Sequence, residues 1–158
     1  MPVVRVLLVC LGNICRSPTA EAAVREAAAA AGVEVEVDSA GTGDWNLGRS
    51  PDPRMVAAAR AVGLELEGRA RQVVEEDFDR YDLILAMDGA NLRRLQALAP
   101  SQAAERKVRL FRSFEAGAPE GAEVPDPYHG GRRGFEHVVE LSRASARGLV
   151  DAIAAGRV

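Results

Sequence analysis

Val3-Val4-Arg5-Val6-Leu7-Leu8-Val9 is an almost unbroken apolar run rich in β-branched residues. A strand of that kind is buried on both faces, which places it inside a parallel sheet. Gly12 follows as a loop breaker. Ser17-Pro18 then reads as an N-cap with proline at the first helical position, and an Ala-rich run from Thr19 ends at Gly32. A chain that opens with strand, tight loop and helix is committed to layers of helix over a parallel sheet.

The rest of the chain repeats the theme. Val33-Glu34-Val35-Glu36-Val37 alternates strictly, as an edge strand with one wet face does. Gly41 to Pro53 is a loop carrying the single Trp. Asp52-Pro53 starts a helix that runs through Val62 and stops at Gly63. Asp82 to Met87 is another apolar strand, and Asp88 caps a helix that runs through Leu98 before Pro100 breaks it. Val108 to Phe111 reads as a fourth strand. Arg112 to Arg133 is rich in Gly and Pro, and a long structureless segment in a compact domain is usually functional. A helix from about Phe135 to Ala155 closes the chain. Ligands of such sheets bind beyond the carboxyl ends of the strands, the edge that holds Cys10, Asp88 and the long loop. There is no internal repeat.

At 158 residues a single domain spanning 1–158 is expected, and 47% hydrophobic with 27% charged residues is ordinary globular composition. The net charge of −3 gives no basic field for nucleic acid or an anionic membrane surface. No apolar stretch approaches a membrane span, and the first strand runs into polar residues without a basic leader, so a cytoplasmic location is expected. Cys10 and Cys15 are the two cysteines, too few and too close together for a disulfide framework, which leaves reactive or redox chemistry. His129 and His137 have no partners at metal-ligand spacing, and neither a metal nor a cofactor is expected.

Cys10-Leu11-Gly12-Asn13-Ile14-Cys15-Arg16-Ser17 sets a thiol and a guanidinium at the two ends of a turn before a helix N-terminus. This is an anion cradle: the peptide N–H groups of Leu11, Gly12, Asn13, Ile14, Cys15 and Arg16 converge, and the helix adds roughly half a positive charge. The planar fork of Arg16 suits two phosphate oxygens. The same field lowers a thiol from about 8.5 into a range of roughly 3.5–7.5, so Cys10 is expected to be a thiolate at neutral pH. A thiolate beneath a bound phosphate points to attack on phosphorus and a cysteinyl-phosphate that water hydrolyses, without a metal. A lone Cys after a strand is more often an inert small hydrophobe. Gly12, Arg16 and Ser17-Pro18 in the same loop reverse that preference.

The segment CLGNICRSPTAE (Cys10–Glu21) resembles the phosphate loop of the low-molecular-weight protein tyrosine phosphatases. The likeness recurs at Ser39–Thr42, at Asp44–Arg54, at Ala70-Arg71-Gln72, at Tyr81–Asp88 and at Pro125–Tyr128, and so spans essentially the whole chain. The resemblance implies a flavodoxin-like fold with four parallel strands in the order 2-1-3-4 and helices on both faces. It implies Cys10 as nucleophile, Arg16 as binder of the phosphoryl group and its transition state, and Asp126 as proton donor to the leaving phenolate. Positioned acids typically contribute about a hundred- to ten-thousand-fold. Asn13, Ser17 and Ser39 match residues that brace the loop, Asn13 with positive φ and Ser17 also donating to the Cys10 sulfur. Asp88 matches an acid beside the catalytic Arg as well as a helix cap. Trp45 and Tyr128 match aromatic walls that suit a flat phosphoaryl ring. Gly68 stands where relatives commonly carry a bracing His, so the network here has to be rebuilt or is weaker. His129 stands where relatives often have a second Tyr and is read, like His137, as surface or structural.

The implied partners are proteins bearing phosphotyrosine, with inorganic phosphate as product. Arsenate reduction on the same fold passes oxidation to a later cysteine, and none follows Cys15. Phosphoarginine hydrolysis in related proteins tends to go with Thr where this chain has Ile14. A thiol redox or anion-binding module without turnover would not need Asp126. Cys15, five residues after Cys10, is either core filling or a trap for an oxidised Cys10.

Overall fold

The opening apolar run forms β1 (Val4–Cys10), and its neighbours explain its composition. It pairs in parallel with β2 (Val35–Gly41) on one side, from Val4 opposite Val35 to Cys10 opposite Gly41. On the other side it pairs with β3 (Leu83–Ala86), from Val6 opposite Leu83 to Val9 opposite Ala86. β4 (Val108–Leu110) pairs with β3 and completes the order β2-β1-β3-β4. The computed structural model describes residues 2–158.

Each face of the sheet has its own core. Val6, Leu8 and Cys10 of β1, with Leu83 and Leu85, face α1 (Arg16–Ala31), α2 (Pro53–Arg60) and α6 (Arg132–Ala154) through Ala20, Val24, Met55, Val138 and Leu149. Leu7 and Val9, with Ile84 and Ala86, face α3 (Asp77–Arg80), α4 (Gly89–Leu98) and α5 (Gln102–Glu105) through Phe78, Leu95 and Ala104. Leu7, Leu8 and Ile84 are fully buried, each worth about 1.5–3 kcal/mol relative to exposure. α6 passes so close to the 3-10 turn at Phe111–Phe114 that a Cβ on Gly148 would overlap the Phe114 carbonyl oxygen. No described helix is long and apolar enough to cross a membrane.

Gly32 ends α1 in the left-handed conformation, and Asp52 and Asp88 cap α2 and α4 through the N–H groups of Arg54 and Asn91. The expected cap at Ser17 is corrected. α1 begins two residues earlier, at Arg16, with Cys15 in the cap position and no side-chain cap bond. Ser17 does not cap because its hydroxyl faces the Cys10 sulfur, and Pro18 is harmless in the first turn, where its missing N–H has no helical partner. β2 runs on to Gly41, beyond the alternating stretch. β4 ends at Leu110 because Phe111 enters the 3-10 turn, and α6 starts at Arg132 rather than Phe135.

Candidate active site

The loop from Cys10 to Arg16 leaves the carboxyl end of β1, where neighbouring strands are entered from opposite sides of the sheet. Its carbonyls are turned outward. Those of Cys10 and Leu11 accept from the N–H groups of Thr42 and Gly43 at 2.9 Å, and that of Ile14 from Asp52 N–H at 2.8 Å. Asn46 Nδ2 donates to the Gly12 carbonyl at 3.2 Å, and Thr19 Oγ1 to that of Cys15 at 2.8 Å. With the carbonyls so engaged, the N–H groups of a tight turn are left for the concave side.

Asn13 sets the curl of the loop. Its φ is 56°, the one positive value at a non-glycine among the described residues. Left-handed backbone is uncommon for L residues, and the side-chain amide holds Asn13 there through all three of its bonds. Nδ2 donates to Ser17 Oγ at 2.8 Å and to Ser39 Oγ at 3.0 Å, while Oδ1 accepts from Arg71 N–H at 3.0 Å. The Asn13 N–H then points at Cys10 Sγ, 3.3 Å away, and Ser17 Oγ lies 3.0 Å from the same sulfur. Ser17 accepts from Asn13 and has one proton to give, for which the sulfur at 3.0 Å and the Ala40 carbonyl at 3.5 Å are the acceptors in reach.

Arg16 is 3% exposed, and its Nη1 donates to Asp88 Oδ2 at 2.6 Å and to the Val124 carbonyl at 3.1 Å. Burial alone would loosen its proton, but the facing Cys10 and the bond to Asp88 outweigh burial and keep the guanidinium charged. Nη2 points across the pocket to Asp126 Oδ2 at 3.8 Å. Asp126 is half exposed, and its other oxygen accepts from Tyr128 N–H at 3.0 Å, an Asx turn that fixes the carboxylate at the mouth. Cys10, Arg16, Trp45, Asp126 and Tyr128 all line one cavity of about 340 Å³. Trp45 folds its indole over Gly43, where any side chain would overlap the ring, and Arg54 stacks on Tyr128 at 5.1 Å.

The family model of the low molecular weight phosphotyrosine protein phosphatases matches residues 5–157. The chain belongs to that family. The low molecular weight protein-tyrosine-phosphatase of Streptomyces coelicolor is 47% identical over 152 residues, 94% of this chain and 93% of the relative. The low molecular weight phosphotyrosine protein phosphatase of Sus scrofa is 38% identical over 151 residues, 94% of each chain. The crystal structure of a protein tyrosine phosphatase from Entamoeba histolytica superposes with a TM-score of 0.93 at 34% identity, covering 98% of this chain and 99% of that one. The enzyme is a cysteine-based phosphotyrosine phosphatase.

Cys10 to Arg16, Trp45, Asp126 and Tyr128 line the pocket, Ser17, Ser39 and Asp88 are hydrogen-bonded behind it, and His137 is exposed beside Glu140 on α6. Asp88 has both of the alternatives considered for it, since Oδ1 caps α4 through Asn91 N–H while Oδ2 holds Arg16. The absence of a His at position 68 does not leave Asn13 unbonded, because the Arg71 peptide satisfies its Oδ1. Ile14 and Cys15 are buried beneath the loop. Burial, with Asp52 and Cys10 adding to it, pushes the Cys15 thiol up to about 12. His129, expected as surface or structural, lies on the surface but also borders the pocket, edge-on to Tyr128 with ring centroids 5.1 Å apart. Asn46 and Arg49 line the same cavity and were not singled out within the Asp44–Arg54 segment, Arg49 donating to Asn46 Oδ1 at 2.9 Å. Glu21 was missed as well. It is buried behind the loop and paired with Arg25, and burial pushes its carboxyl up while Ser39 and Arg25 oppose that shift.

Proposed function

We propose that Cys10 Sγ attacks the phosphorus of a protein phosphotyrosine, forming the S–P bond as the bond to the tyrosyl oxygen breaks. Arg16 and the peptide N–H groups of Leu11 to Arg16 hold the three non-bridging oxygens, whose shared charge is greatest in the transition state. Asp126 gives its proton to the departing tyrosyl oxygen, which would otherwise leave as a phenolate. Water then attacks phosphorus, Asp126 takes its proton, the S–P bond breaks and inorganic phosphate leaves. Ser17 and Asn13 N–H supply donors of the kind that stabilise charge on the sulfur as it is released. Asn13, Ser17, Ser39 and Asp88 hold this machinery in place, and Trp45 and Tyr128 flank the phosphoaryl ring.

One observation carries the reading: Arg16 Nη2 and Asp126 Oδ2 face each other at 3.8 Å across a pocket that Cys10 also lines, with two exposed aromatics at its rim. Ile14 beneath the loop supports tyrosine over arginine as phosphate carrier. The absence of a third cysteine argues against arsenate reduction. The test is turnover on phosphotyrosine, phosphoserine and phosphoarginine peptides with Cys10→Ser as blank. Phosphate release confined to phosphotyrosine is expected, and faster release from phosphoarginine would overturn it. Thiol chemistry of this kind needs a reducing compartment, and we place the enzyme in the cytoplasm as one domain over its whole length. Cys15 is proposed to trap an oxidised Cys10 as a disulfide, a reaction slowed by the buried protonated thiol.

A further inference from the structure

Arg71 lies outside the pocket, yet its peptide joins the phosphate loop to the sheet. Its N–H donates to Asn13 Oδ1 at 3.0 Å, and its carbonyl accepts from Gly41 N–H at 2.8 Å. Val73 N–H returns to the Gly41 carbonyl at 2.8 Å, so the segment adds a single bridge beside the end of β2. One bridge is little to hold a strand in place, and exposed single rungs open readily.

The side chain supplies the rest of the hold. Arg71 Nη1 and Nη2 each donate to one oxygen of Asp77 at 3.0 Å, and Nε donates to Asp38 Oδ2 at 3.2 Å. Asp77 is buried and also accepts from Val74 N–H at 2.8 Å, so one carboxylate ties both ends of the turn from Arg71 to the start of α3. Such a fork-to-fork pair fixes direction as well as distance. Burial opposes the charge on Arg71, but Asp77 and Asp38 more than offset it and its pKa is raised. The consequence reaches the sulfur, because Asn13 needs the Arg71 N–H to complete its left-handed lock, and that lock aims Asn13 N–H at Cys10 Sγ.

We propose that Arg71 and Asp77 are a positioning pair that acts through Asn13 to keep the phosphate loop in its anion-receiving shape. The proposal rests on the reading of that loop as the phosphate site. Without the pair the receptive loop becomes one conformation among several, and apparent affinity falls by the fraction that remains receptive. Bound substrate draws the loop back, so KM moves more than kcat.

The experiment measures kcat and KM with p-nitrophenyl phosphate, the inhibition constant of inorganic phosphate, phosphate binding by calorimetry, and Tm. The proteins are the wild type, Arg71→Ala, Asp77→Asn, Arg71→Lys and the double variant Arg71→Ala/Asp77→Asn. Asp77→Asn keeps an oxygen for Val74 N–H and is the milder cut. Expected are about tenfold rises in KM and in the phosphate constant for Arg71→Ala and Asp77→Asn, with kcat within about twofold. The double variant should be no worse than the singles, and Arg71→Lys should lie between wild type and Arg71→Ala. A lowered Tm with unchanged constants well below it, or additive effects in the double variant, would overturn the proposal. Wild type that binds phosphate without turning over substrate would instead defeat the catalytic reading and leave the pair testable by binding alone. If Arg71→Ala does not fold, Asp77→Asn and Arg71→Lys carry the same comparison.

Discussion

Replacing Asp88 separates two jobs held by one carboxylate. In Asp88→Asn the amide oxygen still caps α4, because Asn is as good a cap as Asp and Asn91 N–H stays 2.8 Å from the acceptor. What disappears is the charge opposite Arg16, and the new NH2 faces a guanidinium that is itself only a donor. Arg16 is 3% exposed and keeps the Val124 carbonyl at 3.1 Å and Asp126 at 3.8 Å, so its charge loses its nearest partner without being wholly stranded. A charge-assisted hydrogen bond is worth about 1.5–3 kcal/mol, and 22% exposure of Asp88 favours the lower half of that range. In a domain of this size about 2 kcal/mol corresponds to a fall in Tm of roughly 4–8 °C. Asp88→Ala removes the cap as well, for about 1 kcal/mol more. The assay is thermal unfolding of the three proteins, with kcat/KM on p-nitrophenyl phosphate measured in parallel. The order wild type, Asn, Ala is expected in Tm, and both variants should lose activity to a similar degree, since the cap does not touch the pocket. Wild-type activity in Asp88→Asn would show that Arg16 is aimed without Asp88, and the same Tm in Asn and Ala would show that the cap contributes nothing.

Asp126→Asn should slow phosphotyrosine turnover by about a hundredfold or more and p-nitrophenyl phosphate much less, because nitrophenolate leaves without a proton; equal losses on both would assign Asp126 to binding instead. With the Cys15 thiol near 12, a pH well below that leaves its attacking form scarce, so after peroxide the share of activity recovered by a thiol reductant should rise as pH goes from 6 to 9 and be absent in Cys15→Ser. A flat profile, or equal recovery in the two proteins, would leave Cys15 as packing. Gly148→Ala should lower Tm by several degrees and leave kcat/KM intact, since its Cβ meets the Phe114 carbonyl far from the pocket; an unchanged Tm would mean that α6 shifts without penalty.

The elements that the sequence announced are those whose cause is local. β1 is apolar from Val6 to Cys10 because both faces are covered there, and Gly32 stops α1 because few other residues take its φ of 66° easily. The four-residue helices α3 and α5 are too short to show a period, and β4 has three residues. Ser17-Pro18 misled for a physical reason. The pair is a good cap signature, but the hydroxyl is drawn seven residues back to a sulfur, a demand visible only once the loop has closed. Asn46 and Arg49 escaped notice because their roles rest on a carbonyl, Gly12 O, that every residue type possesses.

The same reason explains why Gly68 looked like a gap in the bracing of the loop. A side chain missing from a familiar position is visible in a sequence, whereas a main-chain donor that serves Asn13 Oδ1 is not, since any residue but proline supplies an N–H. What side-chain identity decides is where that N–H is held. Gly68 sits at φ +83°, a conformation that a branched or aromatic residue would strain to adopt, and three residues later the Arg71 peptide arrives within 3.0 Å of Asn13 Oδ1. The guanidinium of Arg71 is then bound to Asp77 and Asp38, which are remote from Cys10 in the sequence and outside the pocket. The proposed nucleophile, arginine and acid are legible because their chemistry lies in their own side chains. The residues that keep the loop curled act through the backbone, and only the fold reveals them.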